Sequence, residues 1–150
     1  MKAVAYNKGK LEIRFELPVP GTRSHDILVK IFAVGGNPTD WKCVHYKWGP
    51  NGSIVGTEVI GEVVRMDDDV KVNKFHLGDY VFGFLQGANY YRPDNGAFAE
   101  YVALDSRIAF KAKNDAQLSG KNYLPEAVVS SVKSGATLPC SWFTVVGTLF

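Results

Sequence analysis

Ile54-Val55-Gly56-Thr57-Glu58-Val59-Ile60-Gly61-Glu62-Val63-Val64-Arg65-Met66 is the stretch on which the fold turns. It is rich in the β-branched side chains that suit a pleated sheet, and its internal glycines predict a bulge or a close backbone approach. Asp67-Asp68-Asp69 marks its exit as a solvated turn. Upstream, Asp26 to Val34 is a second apolar, β-branched run, which Gly35 and Gly36 end. Asn37-Pro38-Thr39-Asp40 then has the chemistry of a short helical turn, with Pro fixing φ and Asp or Thr capping. Residues 2 to 15 alternate around Asn7-Lys8-Gly9-Lys10 and predict a β-hairpin, which Pro18, Pro20 and Gly21 break off.

Downstream, Gly78-Asp79 opens a strand at Tyr80 to Phe84, and Gly96 to Leu104 reads as one more with alternating character. Short strands at roughly ten-residue spacing, punctuated by Gly, Pro and Asp, predict a small barrel or sandwich. From Ser106 the texture changes. Pro125 to Val129 and Ser134 to Leu138 have helix-start character, and Ser141 to Phe150 is almost wholly apolar.

The 150 residues, 46% hydrophobic and 13% aromatic, provide one compact core and too little chain for two full domains. Lys and Arg total 17 against 15 Asp and Glu, with no basic stretch interleaved with aromatics, so no nucleic-acid partner is expected. The start has no signal-peptide core and no segment is long enough to span a bilayer, which predicts a soluble cytoplasmic protein with no membrane partner. The two cysteines, Cys43 and Cys140, are too far apart in sequence for a Cys-x-x-Cys knuckle, and reduced thiols are expected. His25, His45 and His76 show no metal-ligand spacing; His45 alone lies close to the Asn37 block.

Gly36 to Lys42, Gly56 to Val64, Gly78 to Val81, Gly96 to Tyr101 and Ala136 to Pro139, in that order, resemble the medium-chain dehydrogenase/reductase superfamily. The resemblance implies a mainly β domain with short helices, a GroES-like partly open β-barrel, without the Rossmann domain. It implies that residues 1–150 are the catalytic domain of an alcohol dehydrogenase-like reductase, ending at the helix that leads into a nucleotide-binding domain in relatives. The Asn-Pro-Thr-Asp block is most similar to quinone oxidoreductases and fungal trans-acting enoyl reductases. Zinc-dependent members carry Cys-His where this chain has Asn37 and Pro38, and Gly-His-Glu where it has Gly56-Thr57-Glu58. A catalytic zinc takes three protein ligands, typically thiolate or imidazole, and Asn37 and Thr57 supply neither. Cys140 falls where many zinc members place a third ligand, but residues 80 to 95 hold no cysteine for a structural zinc lobe, and no zinc is expected.

In such relatives hydride passes from a nicotinamide to an unsaturated or carbonyl substrate, with the cofactor carrying the chemistry. Asn37 is then the candidate polar group beside nicotinamide and ribose, or else a cap of the turn after Gly36. Tyr46 is the candidate donor to a substrate carbonyl or enolate oxygen, or a half-buried packing residue. Asp40 lies beside the active site in the family, or caps the helical turn. Glu58 bonds within the cleft or structures a loop, and Pro139 and Thr144 are expected to face the cofactor. The substrate expected from Trp41, Tyr46, Trp48, Tyr90 and Tyr91 is a small apolar or planar enone, quinone or aldehyde. NADP(H) is expected for the full-length family, but no Gly-x-Gly-x-x-Gly occurs here, so no tight binding is expected of these residues alone. Two functional readings follow: a piece of a zinc-independent oxidoreductase with little activity alone, or a non-enzymatic module that pairs with a protein partner, or with itself, through apolar residues 138–150.

Overall fold

The computed structural model describes residues 1–70, 74–112 and 131–149. The expected helix start at Pro125 to Val129 and the terminal Phe150 lie outside them. Strand β1 (Ala3–Asn7) pairs antiparallel with β2 (Lys10–Arg14), Ala3 opposite Arg14 and Asn7 opposite Lys10. Lys8 and Gly9, with φ of 47° and 83°, make the left-handed turn that the right-handed twist of a hairpin demands. The sequence signal for this hairpin was local, and the structure follows it.

A five-stranded antiparallel sheet forms the body, in the order β6 (Tyr101–Asp105), β3 (Asp26–Gly35), β4 (Glu58–Met66), β5 (Tyr80–Phe84), β7 (Phe110–Lys111). The two sheets do not close on each other. The hairpin is bridged instead to the segments that precede β6 and β4, Ala3 with Ala99 and Ala5 with Ile54. The bulge expected from the glycines of residues 54–66 appears as register shifts between β3 and β4, one of them beside Gly61. A Cβ on Gly61 would strike the Lys30 carbonyl, so the close approach of the two backbones requires glycine there.

Two strands are shorter than their sequence suggests. Residues 54–57 do not extend β4, because Gly56 turns the chain at φ 98° with Phe98 packed against it. Residues 96–99 likewise leave β6 and cross to the hairpin, where Val4 N–H donates to the Phe98 carbonyl. Both departures are set by contacts between distant segments, which a local pattern does not encode.

Ile27, Val29, Val59, Val63, Phe75, Val81, Val102 and Leu104 fill the main core, all within 1% of full burial. Burying a side chain of this size contributes about 1.5–3 kcal/mol, so this face of the sheet dominates stability. On the other face Ile60, Ala112 and Ala136 make a smaller cluster under helix α2 (Val132–Thr137). Helix α1 (Pro38–His45) packs through Cys43 against Tyr6, Val55 and Ala88. Ser131 and Ser134 form the capping box of α2, and after Leu138 the buried Pro139 opens α3 (Pro139–Leu149). Proline suits a first helical position, where its missing N–H has no intrahelical partner to lose. Among the described residues no helix is long and apolar enough to cross a membrane.

Candidate functional site

The end of β3, the start of α1, the start of β4 and the start of α3 converge on one buried polar cluster. Asn37 occupies the N-cap of α1, with extended backbone (φ −123°) and Pro38 following at the first helical position. Asp40, one turn on, reaches back so that its Oδ2 accepts the Asn37 N–H at 2.7 Å. This is the capping that the Asn-Pro-Thr-Asp spacing predicts. The Asn37 side chain reaches out to β4: Nδ2 donates to Thr57 Oγ1 at 3.1 Å and to Glu58 Oε1 at 2.9 Å. Glu58 Oε2 in turn accepts the backbone N–H of Cys140 at 2.8 Å, in the first turn of α3.

Thr57 and Glu58 are 4% and 2% exposed, so water cannot take over their hydrogen bonds. Glu58 reaches this position because its register partner across the sheet is Gly35. A Cβ there would collide with Glu58 Oε1 and with the Ala136 carbonyl. Burial pushes the Asp40 carboxyl above the usual carboxylate range; bonds from the Asn37 N–H and the Thr57 hydroxyl oppose the rise, and the Glu58 charge adds to it. Asp40 Oδ1 has no hydrogen-bond partner within bonding geometry. Burial also raises the Cys140 thiol, with Glu58 contributing, and the Cys43 thiol, with Asp40 contributing. Both thiols are thereby pushed further toward the protonated form, which makes them poor nucleophiles.

Asn37 Nδ2 thus donates to Glu58, and each of the two Glu58 oxygens accepts one N–H group. Among the described residues no group of three or more His, Cys, Asp or Glu is placed to hold a metal.

Other sequence candidates lie elsewhere. Tyr46 follows α1, about 12 Å of helix away from Asn37, and is 56% exposed. Its ring stacks on Trp48 at 5.3 Å and meets His45 edge-on at 4.7 Å, so it is not half-buried packing but part of an exposed aromatic group. Pro139 is buried at the start of α3, and Thr144 is exposed with its hydroxyl donating to the Cys140 carbonyl at 2.8 Å. Tyr90 and Tyr91 are exposed, while Arg92 turns inward to pair with Asp26 at 2.7 Å. Phe82, Phe110, Leu138 and Trp142 line a wholly apolar hollow of about 250 Å³ under α3. A larger open trough of about 560 Å³ runs between the hairpin and β3, past Ile13, Ile31, Phe32 and Phe98, and holds no member of the polar cluster.

The residue that sequence reasoning placed least well is Glu58. Its link to α3 spans 82 positions. The available signal was the glycine at position 35, whose missing side chain leaves room for a carboxylate.

The family described as the alcohol dehydrogenase GroES-like domain matches residues 23–114. An uncharacterised protein of Saccharomyces cerevisiae is 40% identical over 144 residues, which is 96% of this chain and 38% of that protein. A trans-enoyl reductase of Aspergillus niger is 36% identical over 141 residues, 94% of this chain and 34% of the reductase. The chain thus spans less than two-fifths of the length of these curated relatives. The structure of a quinone oxidoreductase from Coxiella burnetii superposes with a TM-score of 0.66 at 23% identity, covering 99% of this chain and 44% of that one.

Proposed function

Since the chain belongs to the alcohol dehydrogenase GroES-like domain family within the medium-chain dehydrogenase/reductase oxidoreductases, we propose that residues 1–150 form the substrate-side domain of an NAD(P)H-dependent, zinc-independent reductase of the enone, quinone or aldehyde type. On this reading α3 leads toward a nucleotide-binding domain, and these residues by themselves transfer little hydride. The observation that carries it is the Asn37 carboxamide, hydrogen-bonded to Thr57 and Glu58 where zinc members have metal ligands. A polar group held from two sides is oriented before anything binds, and preorganisation of this kind is how a site stabilises charge that develops in a transition state.

A bound nicotinamide would supply the hydride; the protein's part is to place and polarise. Asn37 is assigned to the rim of the nicotinamide and ribose position, Asp40 to holding the Asn37 backbone, and Pro139, at the start of α3, and Thr144, at its middle, to the cofactor. Tyr46, whose exposed ring carries a phenolic donor, is assigned to the oxygen of a small planar carbonyl substrate. The chain contains no Gly-x-Gly-x-x-Gly turn to cradle a pyrophosphate.

The 150-residue chain is expected to show no calorimetric signal with NADPH up to millimolar concentration; tight binding overturns the division of labour. Joined to the remaining two-thirds of the Saccharomyces relative, it is expected to oxidise NADPH in the presence of a simple enone. Chelators should leave that rate unchanged, and stoichiometric zinc or chelator inactivation overturns the metal-free assignment.

A second reading, a non-enzymatic module, is favoured by α3, in which Trp142 and Val145 are each 51% exposed. If it holds, the chain self-associates or captures another polypeptide through residues 138–150, and Trp142→Ser abolishes this in sedimentation without loss of fold.

A further inference from the structure

Glu58 sends its two carboxylate oxygens to different elements, Oε1 to the Asn37 carboxamide at the head of α1 and Oε2 to the Cys140 N–H at the head of α3. The Cys140 N–H belongs to the first turn of α3, which offers it no acceptor within the helix. The same turn carries the positive end of the α3 peptide dipoles, which favours a carboxylate there. At 2% exposure Glu58 has no water to substitute for either donor. The shared acceptor is therefore a mechanical link, because tilting the carboxylate toward one donor takes it away from the other.

We propose that Glu58 is a positioning residue that couples the orientation of the Asn37 carboxamide to the seating of the α3 N-terminus. Its use in catalysis rests on the assignment of Asn37 to the cofactor rim; the coupling itself is a property of this chain without any ligand. The chemistry requires glutamate. Glutamine offers one acceptor and one donor group, so facing two N–H donors it must lose one, and aspartate is a methylene too short to reach across the sheet to both. Asn37, Glu58 and Cys140 then respond as a unit to whatever engages either helix.

Amide hydrogen exchange and NMR shifts of the 150-residue chain test this with no cofactor present, so the outcome is independent of the proposed activity. Asn37→Ala, which leaves Glu58 in place, is expected to change Cys140 N–H exchange at least about threefold and to shift its proton resonance. Glu58→Gln is expected to speed Cys140 exchange about tenfold and to abolish the response to Asn37→Ala in the double variant. The N–H of Ala103, held by Asn95 in β6, serves as the reference for global stability. The proposal is overturned if Asn37→Ala leaves Cys140 unchanged, if the double variant retains the response, or if Cys140 and Ala103 move together. Should Glu58→Gln fail to fold, Asn37→Ala read against Ala103 decides alone.

Discussion

Two asparagines in this molecule each make two hydrogen bonds through a carboxamide, and they do opposite things with them. Asn95 bonds only to backbone: Nδ2 donates to the Ala103 carbonyl at 2.8 Å and Oδ1 accepts the Ala103 N–H at 2.9 Å. Ala103 lies on β6, the edge strand of the larger sheet, so one side chain takes the place of a missing neighbouring strand. Asn37 bonds through Nδ2 only to side chains, Thr57 and Glu58. A side chain pinned to backbone completes the fold, whereas one held by other side chains can be reoriented without unmaking it. The first is scaffold; the second is where selection can place function.

The sharpest way to break this contrast is Asn95→Ala. It orphans an N–H and a C=O at a position 2% exposed, and a loss of about 2–4 kcal/mol in chemical denaturation is expected. Asn37→Ala, which leaves Thr57 and Glu58 free to readjust toward each other, is expected to lose about 1–2 kcal/mol by the same measurement. If Asn37→Ala costs more than Asn95→Ala, the polar cluster is part of the scaffold and the distinction fails.

The smallest expected effect is on pH dependence. The Asp40 carboxyl is raised by burial, so the folded chain holds its proton to higher pH than the unfolded chain does. Its contribution is fully present below the ordinary carboxylate range and is lost as pH rises through the raised value. Asp40→Asn keeps an oxygen for the Asn37 N–H and carries no buried charge. Its stability, within about 1 kcal/mol of wild type, is expected to gain on wild type as pH rises from 4 to 7 in denaturant midpoints. A gap that moves the other way places Asp40 in a favourable ion environment and contradicts the burial argument.

What the sequence reveals follows the range of the interaction. The hairpin turn at Lys8-Gly9 and the cap at Asn37 to Asp40 are decided within four residues, and both were legible. Residues 54–57 and 96–99 resemble strand by composition, yet Gly56 and Phe98 meet each other and pull both segments out of the sheet. Tyr46 reads as a donor to substrate or as half-buried packing, and only the three-dimensional structure shows it 56% exposed and stacked on Trp48. Thr57 and Glu58 were visible as neighbours in a recognisable block, but no spacing rule announces that Glu58 bonds an amide in a helix that begins at Pro139.

Helix α3 contains no Asp, Glu, Lys, Arg or His. Among the described residues its hold on the sheet is apolar contact, with Phe143 packed near Phe84 and Phe110 at 5.6 and 5.9 Å, and a hydrogen bond to a carboxylate that solvent ions scarcely reach. Ionic strength thus has almost nothing to screen there. Solvent structure governs this seam instead: sulfate tightens it, urea loosens it, and cooling weakens it while the charged surfaces elsewhere barely respond.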